Sequence, residues 1–124
     1  MNAMQEALEP ILRDVSATTD VRLTIGNGDR SDEHGPSAWI AMSDGSATMV
    51  RINLADTVAE RVAAVADQVQ EIVIEELWAR ASNWPICPAH RSTHPLQVAM
   101  TPAGPSWTCP TDRAAVAAVG DLRL

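Results

Sequence analysis

The chain has no phenylalanine, no tyrosine and no lysine, and only two cysteines in 124 residues. Its nine basic residues are therefore all arginine. Together with frequent alanine, this usage reflects a GC-rich coding bias rather than a mechanism. Positive charge is scarce: the formal net charge is −7. A nucleic-acid module needs a basic face to meet phosphate, so this balance argues against one. No apolar run approaches the roughly 20 residues of a membrane-spanning helix, so no membrane partner is expected. Residues 1–10 have neither the basic start nor the apolar core of a signal peptide, which makes the cytoplasm the expected compartment. In a reducing compartment a structural disulfide is disfavoured, and two cysteines lean toward metal.

What is present is a folding chain. Hydrophobic residues make up 46% of it, too many for disorder. Charge is unevenly spread: residues 1–82 carry 14 acidic and 6 basic side chains, and residues 83–124 carry 2 and 3. The first part reads as a solvated α+β body, and 83–124 as a near-neutral segment packed on it.

Met4, Ala7, Leu8, Ile11, Leu12 and Val15 repeat at helical spacing, which predicts an amphipathic helix over the first fifteen residues or so. Pro10 lies off that stripe, either in the first turn or at a kink. Three strands are expected next. Asp20–Ile25 alternates, with Val21, Leu23 and Ile25 on one face. Ala38–Met42 and Thr48–Leu54 flank Asp44-Gly45, a hairpin turn signal. The intervening GNGDRSDEHGPS reads as a polar loop, with His34 a surface residue of it. Thr57-x-x-Glu60 is a capping box that opens a helix to about Ser82, with Val58, Val62, Val65, Val69, Ile72, Val73 and Leu77 on its apolar stripe. Ile74 and Trp78 widen that stripe and are expected in the core, the alternative being a partner surface. This order of helix, three-stranded antiparallel meander and long helix also occurs in double-stranded-RNA-binding domains. The likeness is one of element order, and the acidic charge opposes it.

Both cysteines fall in WPICPAHRSTHPLQVAMTPAGPSWTCP, residues 84–110, with His90, His94 and six of the eight prolines. Each cysteine precedes a proline: Cys87-Pro88-Ala89-His90 and Cys109-Pro110-Thr111-Asp112. Such a turn aims a thiolate and the residue three later at one ion, and zinc prefers four sulfur or nitrogen donors in a tetrahedron. Two thiolates with two neutral imidazoles would leave a zinc site uncharged. The proposed ligands are Cys87, His90, His94 and Cys109. His94 is preferred as the commoner structural ligand, and Asp112 is the alternative by symmetry of the two turns. Free or paired thiols are the competing reading. Leu96–Met100 and Ser106–Thr108 are expected to form a hairpin joined by TPAGP, with Trp107 covering one face of the metal. AAVAAV, residues 114–119, suits a strand or a short helix equally.

The set Trp84-Pro85-x-Cys87-Pro88-x-His90, His94-Pro95-Leu96, Trp107-x-Cys109-Pro110 and Gly120-x-Leu122 resembles that of small actinobacterial proteins with a C-terminal zinc-ribbon-like segment. The resemblance covers the last third, implies the same ligand list, and brings no activity with it. The expected fold is thus an α+β body followed by a zinc-ribbon-like β-hairpin, and the expected function is non-catalytic binding of another protein around a structural zinc. Two other readings stand beside it. A nucleic-acid-binding ribbon would use Arg91, Arg113 and Arg123 with Trp84 and Trp107. A zinc-dependent hydrolase would need an open coordination position and a general base. The chain lacks the His-x-Glu with Pro-Cys-x2-Cys of zinc deaminases, a phosphate-binding glycine loop, and Gly-x-Ser-x-Gly.

Overall fold

The first helix, α1 (Ala3–Thr18), begins where Asn2 and Gln5 exchange bonds: Asn2 Oδ1 accepts from Gln5 N at 2.8 Å, and Gln5 Oε1 accepts from Asn2 N at 3.1 Å. This capping box fixes the helix start by satisfying two backbone donors. The computed structural model describes residues 2–26, 30–32 (backbone only), 35–78, 83–91 and 93–123. Met4, Ala7, Leu8, Ile11 and Val15 are buried and Leu12 partly so, as the stripe requires. Pro10 stands in the helix interior, not the first turn. It packs against the chain near Gly120, which has φ of 105°. A Cβ at Gly120 would come within 3.1 Å of the Pro10 Cβ and 2.7 Å of the Arg13 guanidinium, so only glycine fits there.

The first sheet has four strands where three were expected: β1 (Thr24–Ile25), β2 (Arg30–Asp32), β3 (Gly35–Ala41) and β4 (Ala47–Arg51). All pairings are antiparallel, and β3 is central. One side of β3 pairs with β4, and the other side is shared by β1 and β2. The three-stranded meander is corrected for reasons of pairing. β3 ends at Ala41, which pairs with Thr24, so residues 20–23 lie past its end and outside the ladder. Val21 still buries its side chain. At the other end Ser37 pairs with Arg51, and Ile52 N donates to Pro36 O before the chain turns at Asn53–Asp56. The added strand β2 lies in the stretch read as loop, because three polar residues show no apolar alternation. His34 lies outside the described residues. The Asp44-Gly45 turn forms as expected, with Gly45 at φ of 90° and Asp44 Oδ1 accepting from the backbone and hydroxyl of Ser46.

The long helix, α2 (Val58–Glu76), starts at its capping box: Thr57 Oγ1 accepts from Glu60 N, and Glu60 Oε1 from Thr57 N. At 19 residues it is shorter than expected, about 28 Å. Leu77 leaves helical geometry, and the expected end at residues 79–82 lies outside the described residues. Ile74 packs against the core, but Trp78 is 73% exposed, which corrects its core assignment, and Val58, in the first turn ahead of the buried stripe, is exposed as well. The polar face of α2 also works: Gln68 accepts from Arg51 N and donates to Arg51 O, occupying backbone groups of β4.

Residues 97–118 form a second antiparallel sheet of three strands, β5 (Gln97–Thr101), β6 (Gly104–Thr108) and β7 (Ala115–Ala118). The ambiguous AAVAAV run is therefore a strand, and the expected hairpin gains a third member. Among the described residues no helix is long and apolar enough to cross a membrane.

One core joins these parts. α2 touches β4, β5 and β6, and α1 packs on α2 and β3. Leu8, Ile11, Ile40, Val65, Val73, Leu96 and Trp107 belong to the same buried cluster. Within it sits one carboxylate, Asp14, with no exposed surface. It accepts from Trp107 Nε1 at 2.8 Å, Gly120 N at 2.7 Å and Leu122 N at 2.9 Å. Arg13 Nε, next in the chain, donates to Gly120 O at 2.8 Å. Trp107, expected to cover the metal, thus points its indole N–H at α1 and meets Trp84 edge-to-face at 5.5 Å.

Two outcomes are expected. Asp14→Ala leaves three buried or backbone donors without their acceptor and should lower unfolding free energy by about 3 kcal/mol or more, read by urea titration with unchanged slope. Glu60 is held below its ordinary value of 4.5 by the Thr57 backbone N–H and hydroxyl. A depressed carboxyl contributes stability above its unfolded value and loses it as pH falls through the folded one. The stability gap between the natural chain and Glu60→Gln should therefore be full above pH 4.5 and close as the pH is lowered.

Candidate metal centre

The first turn of the centre is built by the backbone. His90 N donates to Cys87 O at 3.1 Å and Thr93 N to His90 O at 3.1 Å, which makes two successive reversals. An isolated bridge between Ile86 and Pro95 and a bond from Leu96 N to Pro85 O at 2.8 Å close the base of this loop. The second turn follows β6. Cys109 N donates to Ala114 O and Arg113 N to Cys109 O, with Arg113 at φ of 64°. Prolines after each cysteine have no N–H to compete in these turns.

A buried glutamine ties the loop to the body. Gln70 of α2 donates through Nε2 to Trp84 O at 3.0 Å and to Leu96 O at 2.6 Å. These carbonyls stand at the two ends of the first turn, so one helix side chain sets its width. The Trp84-Pro85 peptide is cis. Trp84 Nε1 donates to Thr18 Oγ1 at 3.0 Å, at the end of α1.

Four side chains converge. The ligand atoms of Cys87, His90, His94 and Cys109 all lie within 4.8 Å of one another. Both cysteines are buried, and both histidines are half-buried. His90 Nδ1 lies 3.5 Å from each sulfur, and His94 Nε2 lies 3.9 Å from Cys109 Sγ. A tetrahedral zinc with Zn–S near 2.3 Å and Zn–N near 2.0–2.1 Å has an S···N edge of about 3.6 Å. The observed separations match that edge to within a few tenths of an ångström. Ordinary sulfur–nitrogen packing does not require four such groups to face one point, and the donor set is the one zinc favours.

The surroundings also orient the ligands. His94 Nδ1 lies 3.1 Å from Pro95 O, which can only accept, so the proton sits on Nδ1 and the lone pair on Nε2. Thr111 Oγ1 is 3.2 Å from that Nε2 and is the competing partner for its lone pair. Asp112, the alternative fourth ligand, is not in the converging set. Its Oδ1 accepts from Ala114 N at 2.9 Å. That N–H is the largest cause that holds its carboxyl below the usual range. The carboxyl braces the second turn from outside. Gln70, Thr111 and the Pro95 carbonyl carry no spacing signal that would have marked them in the sequence. Their roles come from contacts made across the fold.

A cobalt-loaded protein provides the discriminating measurement. His94→Ala should change the visible absorption and weaken metal binding, whereas Asp112→Ala should leave the spectrum unchanged and lower only the melting temperature. Loss of the four-ligand tetrahedral environment is read directly from band intensity.

The model of a family described as a domain of unknown function, DUF8819, matches residues 29–119, a span that contains all four converging side chains. No curated protein and no solved structure matches the chain.

Proposed function

The chain is thus a member of the DUF8819 family, and we propose that it is a non-catalytic protein-binding or adaptor protein, its segment 83–124 held as a zinc-ribbon-like unit by one structural zinc. The observation that supports this reading is the four-donor set Cys87, His90, His94 and Cys109. Four protein ligands fill a tetrahedral zinc and leave no position for water or substrate, as in structural sites. Two buried thiolates and two neutral imidazoles balance the ion's charge, which lowers the cost of burying it. The metal would then fasten a segment whose strands are short and whose loops are rich in proline.

Binding would be carried by surface aromatics. Two of the four tryptophans, Trp39 at 43% and Trp78 at 73% exposure, face outward. Tryptophan is enriched at the energetic centres of protein interfaces and is expensive to leave in water. The net charge of −7 favours a protein partner over a polyanion.

Elemental analysis of protein purified without added metal should find about one zinc per chain, and chelation should expose the amides of residues 83–119 to exchange while lowering the melting temperature. Metal-free protein with two freely reacting thiols and an unchanged melting temperature would remove the centre. The adaptor reading is checked by Trp78→Ala, which should keep zinc and melting temperature and lose partner capture. Turnover of a substrate with no captured protein would replace it.

A further inference from the structure

Against the outer side of the first metal turn lies a cavity of about 200 Å³. Trp84, Pro85 and Pro88 form its walls with Leu122 from the tail, and Arg91 and Arg123 stand at it. Its lining is mainly apolar and contains no acidic residue. The polar groups of the walls are already engaged: the Trp84 indole N–H goes to Thr18 Oγ1, and the Thr18 hydroxyl goes to Asp14 O. Among the lining side chains, the two guanidiniums are left to meet a polar ligand. Among the described residues no carboxylate forms an ion pair with Arg91 or Arg123.

That placement is unusual for this chain. Acidic side chains outnumber basic ones sixteen to nine, yet two of the three arginines in segment 83–124 stand at one apolar cavity. Arginine presents a planar donor fork matched to a carboxylate. The size also limits the ligand: an engineered cavity of roughly 150 Å³ accepts benzene. Pockets with apolar walls and a few convergent polar groups are where small ligands bind.

We propose that this cavity binds a compact apolar group carrying a carboxylate, with the hydrophobic body between Trp84, Pro88 and Leu122 and the carboxylate on Arg91 and Arg123. The ligand chemistry has two sources, a free organic acid or the C-terminal residue of a protein chain. Both present the same apolar body and charge. Pro85, Pro88 and Arg91 flank Cys87 and His90 in sequence, so one side of the cavity is built by the first metal turn.

The test is an NMR titration of the full chain as purified, following the Trp84 indole and the arginine side-chain resonances. Phenylacetate should shift both, with a dissociation constant on the order of 1 mM. Phenylacetamide, which keeps the ring and loses the charge, should bind roughly tenfold more weakly. In the double variant Arg91→Ala/Arg123→Ala that preference should vanish while the melting temperature and metal content stay unchanged. No shift with phenylacetate, or equal binding of acid and amide, overturns the proposal. A Gly-Gly-Phe peptide with a free carboxyl, compared with its amide, assigns the source. Tighter binding than phenylacetate supports a chain terminus, and weaker binding supports a free acid. Repeating the titration after chelation separates this inference from the zinc reading. Ligand binding by protein that never contained metal keeps the cavity and removes the centre.

Discussion

Asp14 holds the two halves of the molecule in one register. It stands on the buried face of α1 and is the shared acceptor for an indole of β6 and two backbone N–H groups of the tail. A carboxylate without exposed surface is tolerated only where its oxygens are bonded, and three donors meet that demand. The same bonds hold Trp107 in the orientation that meets Trp84. Trp84 then opens the first metal turn. The geometry of the centre thus traces back to a side chain on the first helix, far from it in sequence and outside the DUF8819 span.

Gln70 supplies the second tie. The apolar stripe of α2 fastens the helix to both sheets, but packing alone is not directional. An amide that donates to two carbonyls on opposite sides of a turn is directional, and burial strengthens those bonds. The turn between them carries Cys87 and His90, while Cys109 comes from the end of β6. Two helices therefore position the two turns: α2 through Gln70 and α1 through Asp14. A metal bound there would lock an arrangement already specified. The acidic body and the near-neutral C-terminal segment also separate tasks. Solvation lies with the former, while the arginine-flanked cavity lies on the latter.

Much of the local structure was legible in the sequence. The period of the apolar residues placed α1 and α2, Thr57-x-x-Glu60 marked the start of α2, and Asp44-Gly45 marked its hairpin. Of the residues that converge, Cys87, His90 and Cys109 are those the two Cys-Pro turns singled out, and His94 is the one preferred over Asp112 as the commoner ligand. Strand lengths were less legible, because a strand ends where its neighbour ends. Residues 20–23 alternate as well as any strand but lie beyond the end of β3. Residues 30–32 do not alternate at all and pair because β3 is there to receive them.

The sequence by itself determined the periodic helices, the caps, the hairpin turn and the two Cys-Pro turns, since each depends on neighbours within a few positions. Only the tertiary structure decided that Asp14 is a buried acceptor rather than a surface charge, that Trp78 faces outward, and that Asp112 braces a turn while His94 joins the centre. Those outcomes depend on which groups meet across large gaps in the chain. The partner that satisfies a polar side chain is set by packing, and no spacing along the sequence encodes it.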